Sequence, residues 1–373
     1  MKNKKIKIIG IVAIILLILT LIIIPINKTG FFNLKNQDSK YIKIGFVSSL
    51  SGDAGVWGQD VKNGFDFAIQ EINAQGGING KLIQPIYQDD KCNAKDGLNA
   101  FENEIQLDNI KIITGTVCSS VALSVAPITQ KNKILYMATG ATNPKVTKQG
   151  DLIFRLWISD AYEAKAVSEY FTKNLGFKKL AVMTINDNPA GVAIKDVFTK
   201  TTIENNAKIT DIEQFNSNKN SFQTIITKLI NTNPQGIYIM SNPNQLATII
   251  NQLHTLGYKG IIFAYGPAML TKGISNKIKN KTNVYYADSI TTKQTNFWKD
   301  YKQKTGQNAD TITAAGYDSM KFIEAGLKVC GQDNNCIRDY WLSLKNYPTT
   351  RGNITYDNTG DLTNIKYNMK ELN

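Results

Sequence analysis

"GTVCSS", residues 115–120, follows the apolar run Ile110–Ile113 and precedes a helical pattern over Val121–Gln130. A glycine, a cysteine and two serines therefore stand where a strand hands over to a helix. In an open parallel sheet that edge is where ligands bind, and a helix start offers unpaired N–H groups at the positive end of its dipole. The stretch can hold a nucleophile, a metal ligand or a seat for an anion. Simple N-capping by Ser119 or Ser120 would also account for the serines.

On both sides of this stretch strands alternate with helices. "YIKIGFV" (41–47) reads as a strand, and Val61, Phe65, Ala68, Ile69 and Ile72 recur at helical spacing before Gly76-Gly77. "KLIQPIYQDD" (81–90) returns as a strand, a helix follows over 94–107, and Ile134–Met137 forms the strand after "GTVCSS". The rhythm restarts after "FRLWISD" (154–160), with strands at 178–186, 208–215, "GIYIM" (236–240), "GIIFAY" (260–265) and "NVYYAD" (283–288). Helices near 296–304, 312–329 and 337–344 precede "RGNITYDNTGDL" (351–362), read as a hairpin with its turn at Asp357–Asp361. Short βα connections imply two α/β units, each a mostly parallel sheet flanked by helices.

The 373 residues suit two domains, and 42% hydrophobic with 20% charged residues describes a globular chain. The net charge of +13 does not point to nucleic acid. Much of it lies on Lys2, Lys4, Lys5, Lys7, Lys28, Lys35 and Lys40, and the rest forms no basic stripe interleaved with aromatics. Between Lys7 and Lys28 runs "IIGIVAIILLILTLIIIPIN", which as a helix spans roughly 30 Å, one hydrocarbon core. The preceding lysines place Met1–Lys7 in the cytoplasm and the rest outside. No small-x-small cleavage site follows, and the first cysteine is Cys92. We therefore expect an uncleaved single-pass anchor over 1–27 and a linker over 28–40, with the remainder extracytoplasmic.

Four cysteines in an exported chain suggest disulfides rather than metal ligands. Cys330 and Cys336 enclose the polar "GQDNN" loop, which leaves Cys92 for Cys118. Oxidised, Cys118 is no thiolate nucleophile. There is no G-x-S-x-G elbow and no complete P-loop, and the one histidine, His254, falls late in a helix of the second unit. We expect no catalytic residue, no metal and no cofactor.

"SSLSGDAGVWG" (48–58), "GTVCSS" and "ATGATNP" (138–144) each end a strand of the first unit. In that order, and with "IKIGFVSSLSGDAGVWGQDVKNGFDFAIQEINAQGGINGKLI" (42–83), "QDDKCNAKDGLNA" (88–100), "TGTVCSSVALSVAPI" (114–128), "MATGATNPKVT" (137–147) and "YDNTGDL" (356–362), the chain resembles the substrate-binding proteins of branched-chain amino-acid ABC transporters. The resemblance covers about 41–365. It implies a type I periplasmic-binding fold, two lobes joined by crossovers near Asp160, Asp288 and Gly352. The first lobe would comprise 41–160 and 289–350, the second 161–288 and 351–373. It also implies closure on a small solute delivered to ABC permease subunits, and it supports the Cys92–Cys118 pairing. Ser119, Gly140 and Thr142 match positions around the ligand carboxylate, and Trp57 matches an aromatic beside it. Here the two readings agree: Ser119 and Thr142 hydroxyls with backbone N–H groups would make a dry anion shelf.

The second lobe departs from that pattern. Ala190 precedes Gly191 where an aromatic is expected, and Asn242–Pro243 replace another. The acid that would receive an α-ammonium aligns with Gly266 in "AYGPAML" (264–270). Either Asp187, Asp288 or Asp318 replaces it, or the solute lacks an amine, in which case Tyr265 and Met269 line the pocket of an apolar acid. Ser120, Asn242 and Tyr265 are thus weaker ligand-binding candidates. Two other classes remain: a ligand-sensing ectodomain read by a partner protein, and a hydrolase using Ser119, which needs a base beside it.

Overall fold

The computed structural model describes residues 40–52, 54–289, 295–363 and 366–373. The apolar run at 8–27 lies outside them, as does the linker but for Lys40; among the described residues no helix is long and apolar enough to cross a membrane.

The first half builds β1 (Tyr41–Ser48), α1 (Gly55–Ala74), β2 (Leu82–Asp89), α2 (Ala94–Gln106), β3 (Ile112–Thr114), α3 (Ser119–Lys131), β4 (Leu135–Ala138) and β5 (Ile153–Arg155). The five strands pair in the order β2-β1-β3-β4-β5, all parallel. The chain then forms α4 (Asp160–Glu169), β6 (Lys179–Ile185), α5 (Pro189–Glu204), β7 (Lys208–Phe215), α6 (Gln223–Ile230), β8 (Gly236–Met240), α7 (Pro243–Thr255), β9 (Ile261–Ala264) and β10 (Val284–Asp288). Back on the first lobe come α8 (Phe297–Thr305), α9 (Thr311–Cys330), α10 (Asn334–Ser343) and the hairpin of β11 (Tyr347–Thr349) with β12 (Gly352–Ile354). Finally β13 (Asn368–Glu371) adds antiparallel to β10 at the edge of the second sheet, ordered β13-β10-β9-β8-β6-β7. Fully apolar stretches such as "GIYIM" are buried on both faces, as parallel strands under helices must be.

Two separate cores follow from the two sheets. The strip 352–362, expected in the second lobe, divides from the tail: Ile354, Tyr356 and Leu362 pack in the first core, and only β13 joins the second sheet. Tyr356 meets Phe154 and Phe322 edge-on, so moving this strip would expose a buried aromatic cluster. The sequence hairpin at 351–362 is likewise two features, β11–β12 and a turn around Asp357 closed by the bridge between Tyr356 and Leu362. On the first lobe α1 and α9 touch backbone to backbone. A Cβ at Gly64 would lie 1.8 Å from the Thr313 carbonyl oxygen, and one at Gly316 would lie 1.9 Å from that of Val61. This close crossing brings the starts of both helices to the edge of the first sheet.

Glu104 of α2 projects into the room left by Gly45, where a Cβ would stand 2.0 Å from its Oε2. Both carboxyl oxygens are buried without a hydrogen bond of good geometry, and burial outweighs the nearby Phe46 backbone amide in holding the group well above the usual carboxylate range. The folded state thus keeps a proton that the unfolded chain releases at roughly pH 4.3. Its contribution to stability is whole below that pH and is lost as pH rises through the folded-state value, by up to about 1.4 kcal/mol per pH unit. Urea unfolding between pH 5 and 8 should therefore show a steeper fall for the wild type than for Glu104→Gln. Parallel pH profiles for the two proteins would reject this account.

Candidate functional site

β3 ends at Thr114, and Gly115 turns the chain out of the sheet at φ 103°. Only glycine takes that turn without strain, and a Cβ would also press on the Phe46 ring at 2.9 Å. Cys118 stands extended at the N-cap of α3, and no side chain caps the helix. The serines do other work. Ser119 Oγ accepts the amides of Thr142 (3.2 Å) and Asn143 (3.1 Å), from the loop after β4. Ser120 Oγ donates to the Cys92 carbonyl at 3.2 Å. With both acceptor positions of Ser119 taken, its own proton is left to donate, which suits an ionised carboxylate.

Thr142 behaves differently from the expected second donor. Its hydroxyl donates to Asp160 Oδ2 at 2.5 Å, while Tyr265 from the second lobe donates to Asp160 Oδ1 at 3.0 Å. Burial pushes Asp160 up to about 7, against the opposing pull of these two hydrogen bonds. Nearby, Glu163 accepts from Tyr238 and from the Gly266 amide, each at 2.9 Å, and burial raises it to about 8. Behind the shelf lies Arg155, fully buried. It forks onto Asp361 (2.6 and 2.5 Å) and gives its remaining donor group to the carbonyls of Thr142 (3.0 Å) and Asn143 (2.9 Å). The loop that meets Ser119 is thus gripped from both sides.

Ser119, Gly140 and Thr142 face a cavity between the lobes. Trp57, Val61, Val117 and Trp157 wall it from the first lobe; Asn188, Ala190, Met240, Tyr265 and Pro267 wall it from the second. Trp57, Ser119, Gly140, Thr142 and Tyr265, separate in the sequence, therefore meet in one place. Ser120 and Asn242 do not join them, lying in an adjacent polar recess with Lys91 and Asp187. Met269 is buried but does not line the cavity. The lobes are bridged across the opening, Trp57 Nε1 donating to Thr271 Oγ1 and Asn143 Nδ2 to the Pro189 carbonyl, both at 2.8 Å.

None of the three acids considered for an ammonium reaches this cavity. Asp187 accepts from Ser217, Asp288 pairs with Lys370 at 2.5 Å, and Asp318 pairs with Arg351 at 3.1 Å. His254 holds the Thr282 carbonyl at 3.1 Å on the second lobe and is not among the residues lining the cavity. Trp157 and Asn188 escaped the sequence reading. Trp157 follows the three-residue β5, too short for a periodic signal, although an aromatic just past an apolar triplet was a hint.

Both disulfides form, Cys92–Cys118 across 26 residues and Cys330–Cys336 across 6. The first ties the loop after β2 to the start of α3. Loop-closure entropy gives about 3.5 kcal/mol for the longer closure and about 2 for the shorter. Replacing Cys92 and Cys118 together by alanine should cost more stability in urea titrations than replacing Cys330 and Cys336. The reverse order would remove the chain-entropy explanation.

Comparison with known proteins agrees with this architecture. Residues 41–364 match the model of the family described as periplasmic binding protein. A Leu/Ile/Val-binding protein homolog 3 of Brucella melitensis is 27% identical, with 88% of this chain and 90% of that protein covered. The Leu/Ile/Val-binding protein of Escherichia coli K12 is 23% identical over the same share of each. Among solved structures, a leucine-binding protein from Thermotoga maritima superposes with TM-score 0.80 at 22% identity, covering 88% of this chain and 97% of that one. A solute-binding protein of an ABC transporter from R. palustris, in complex with benzoate, gives TM-score 0.80 at 17% identity, covering 89% and 93%. At those identities the structures establish the fold alone. The family match over residues 41–364 establishes more: this chain belongs to the periplasmic binding protein family.

Proposed function

We propose that this chain is the extracytoplasmic solute receptor of an ABC importer, taking an amino acid or related small carboxylate into the interlobe cleft. The observation that carries the reading is Ser119. Its oxygen is saturated by two backbone amides, so its proton is directed to a guest at the uncapped start of α3. The relatives named Leu/Ile/Val-binding proteins, and neighbours holding isoleucine, benzoate or 4-hydroxybenzoate, support a carboxylate-bearing guest.

In this reading no bond is made or broken. The solute docks on Ser119 of the first lobe, and the second lobe closes over it with Tyr265 and Met240. Contacts available only when both walls are present shift the lobes toward closure, and a permease reads the closed form. The apolar run 8–27 keeps the receptor at the membrane, on a linker over 28–40 whose flexible reach is roughly 20 Å. We place the last passage between lobes after Leu362, with the first two as the resemblance implied.

Native mass spectrometry of the purified full chain tests the assignment. A small carboxylic acid should travel with the protein and be lost from the Ser119→Ala variant. A chain that carries no solute, and that no member of a carboxylic-acid library stabilises thermally, would overturn it.

A further inference from the structure

Resting on the receptor reading above, we propose that the solute is a monocarboxylate with an aromatic or branched apolar body and no ammonium group. An α-amino acid carries its ammonium on the carbon next to the carboxylate, so the acceptors for that charge must stand beside the shelf. A buried ammonium without a carboxylate partner is strongly disfavoured. Among the described residues that line the cavity, none is an aspartate, glutamate, lysine, arginine or histidine. What surrounds Ser119 is uncharged and mainly apolar: Trp57, Val117 and Trp157 on one wall, Met240, Tyr265 and Pro267 on the other, with the polar Thr142 committed to Asp160 and Asn188 Oδ1 to the Ala190 amide.

The nearest carboxyl groups are walled off. Asp160 is 2% exposed and Glu163 4% exposed, and neither lines the cavity. Asp160 is engaged on both oxygens, by Thr142 and Tyr265, while Glu163 takes both Tyr238 and the Gly266 amide on its Oε1. Nor can the second lobe supply a new acid at Gly266. A Cβ there would stand 2.4 Å from the Ala287 carbonyl oxygen and 3.1 Å from Glu163 Oε2. Backbone and the Glu163 carboxyl already fill the space from which an acidic side chain would reach the guest.

The test uses the full chain, freed of bound solute by dialysis and titrated calorimetrically with pairs that share a body: 3-phenylpropanoate against phenylalanine, and 4-methylpentanoate against leucine. The amine-free member of at least one pair should bind about 100-fold more tightly than its amino acid. Equal or tighter binding of the amino acids overturns the inference while leaving the receptor standing. Binding of no member overturns the inference too. The co-purified mass then separates the two failures, since a solute of other chemistry preserves the receptor and an empty protein does not.

Discussion

Replacing Ser119 by alanine will weaken solute binding by between ten- and about 150-fold, the equivalent of losing one hydrogen bond to a charged group at about 1.5–3 kcal/mol. The effect has two parts. The carboxylate loses its hydroxyl donor, and the amides of Thr142 and Asn143 lose their shared acceptor. Those amides are buried at the foot of the cleft, so the variant should also lose about 1–3 kcal/mol of stability. Ser120→Ala is the control. Its hydroxyl holds only the Cys92 carbonyl and faces away from the cavity, so its affinity should stay within about 0.5 kcal/mol of wild type. Calorimetry and urea unfolding on both variants decide the matter. Equal affinities for Ser119→Ala and Ser120→Ala would mean that the solute does not rest on Ser119.

Arg155→Met will destabilise the protein by about 3–5 kcal/mol, because it leaves one half of a buried ion pair without the other. Arg155 is fully buried, and its guanidinium answers both oxygens of Asp361 together with the carbonyls of Thr142 and Asn143. Removing it strands a carboxylate and two peptide carbonyls at once. The double variant Arg155→Met, Asp361→Leu should recover part of the loss, since an apolar pair of similar size has no charge to desolvate. Solute affinity should not recover with it, because the loop 142–143 would still lack its rear support. Urea unfolding of the single and double variants measures the first effect and calorimetry the second. A single variant as stable as wild type would show that the pair does not brace the shelf.

Much of the architecture was legible because it is local. Strands such as "GIYIM" and "KITDIEQF", and helices such as 94–106, announce themselves by apolar runs, spacing and turn residues within a dozen positions. Elements that failed to show are those without a period: β5 has three residues, and β13 reads "NMKE" and is a strand only because β10 offers it an unpaired edge. The site divided in the same way. Ser119, Gly140 and Thr142 follow strands of one sheet, so a parallel topology gathers them without further information. Trp157 and Arg155 gave no such signal, since their partners Arg351 and Asp361 stand far along the chain, and Asn188 looks in the sequence like any helix cap.

Local pattern was enough to specify an α/β chain of two lobes, with an oxidised cysteine and two serines where β3 of a parallel sheet hands over to a helix. It could do so because hydrophobic period, helix punctuation and cysteine spacing are written into neighbouring residues. What each serine does, where Thr142 sends its proton, and the place of Ile354, Tyr356 and Leu362 in the first core emerge from packing in three dimensions. Those outcomes depend on hydrogen bonds and contacts across tens to hundreds of positions, from Ser119 to Thr142 and from Arg155 to Asp361. The same folding closed Gly266 to any side chain, through the Ala287 carbonyl and the Glu163 carboxyl, and so left an apolar wall where a charge could have been.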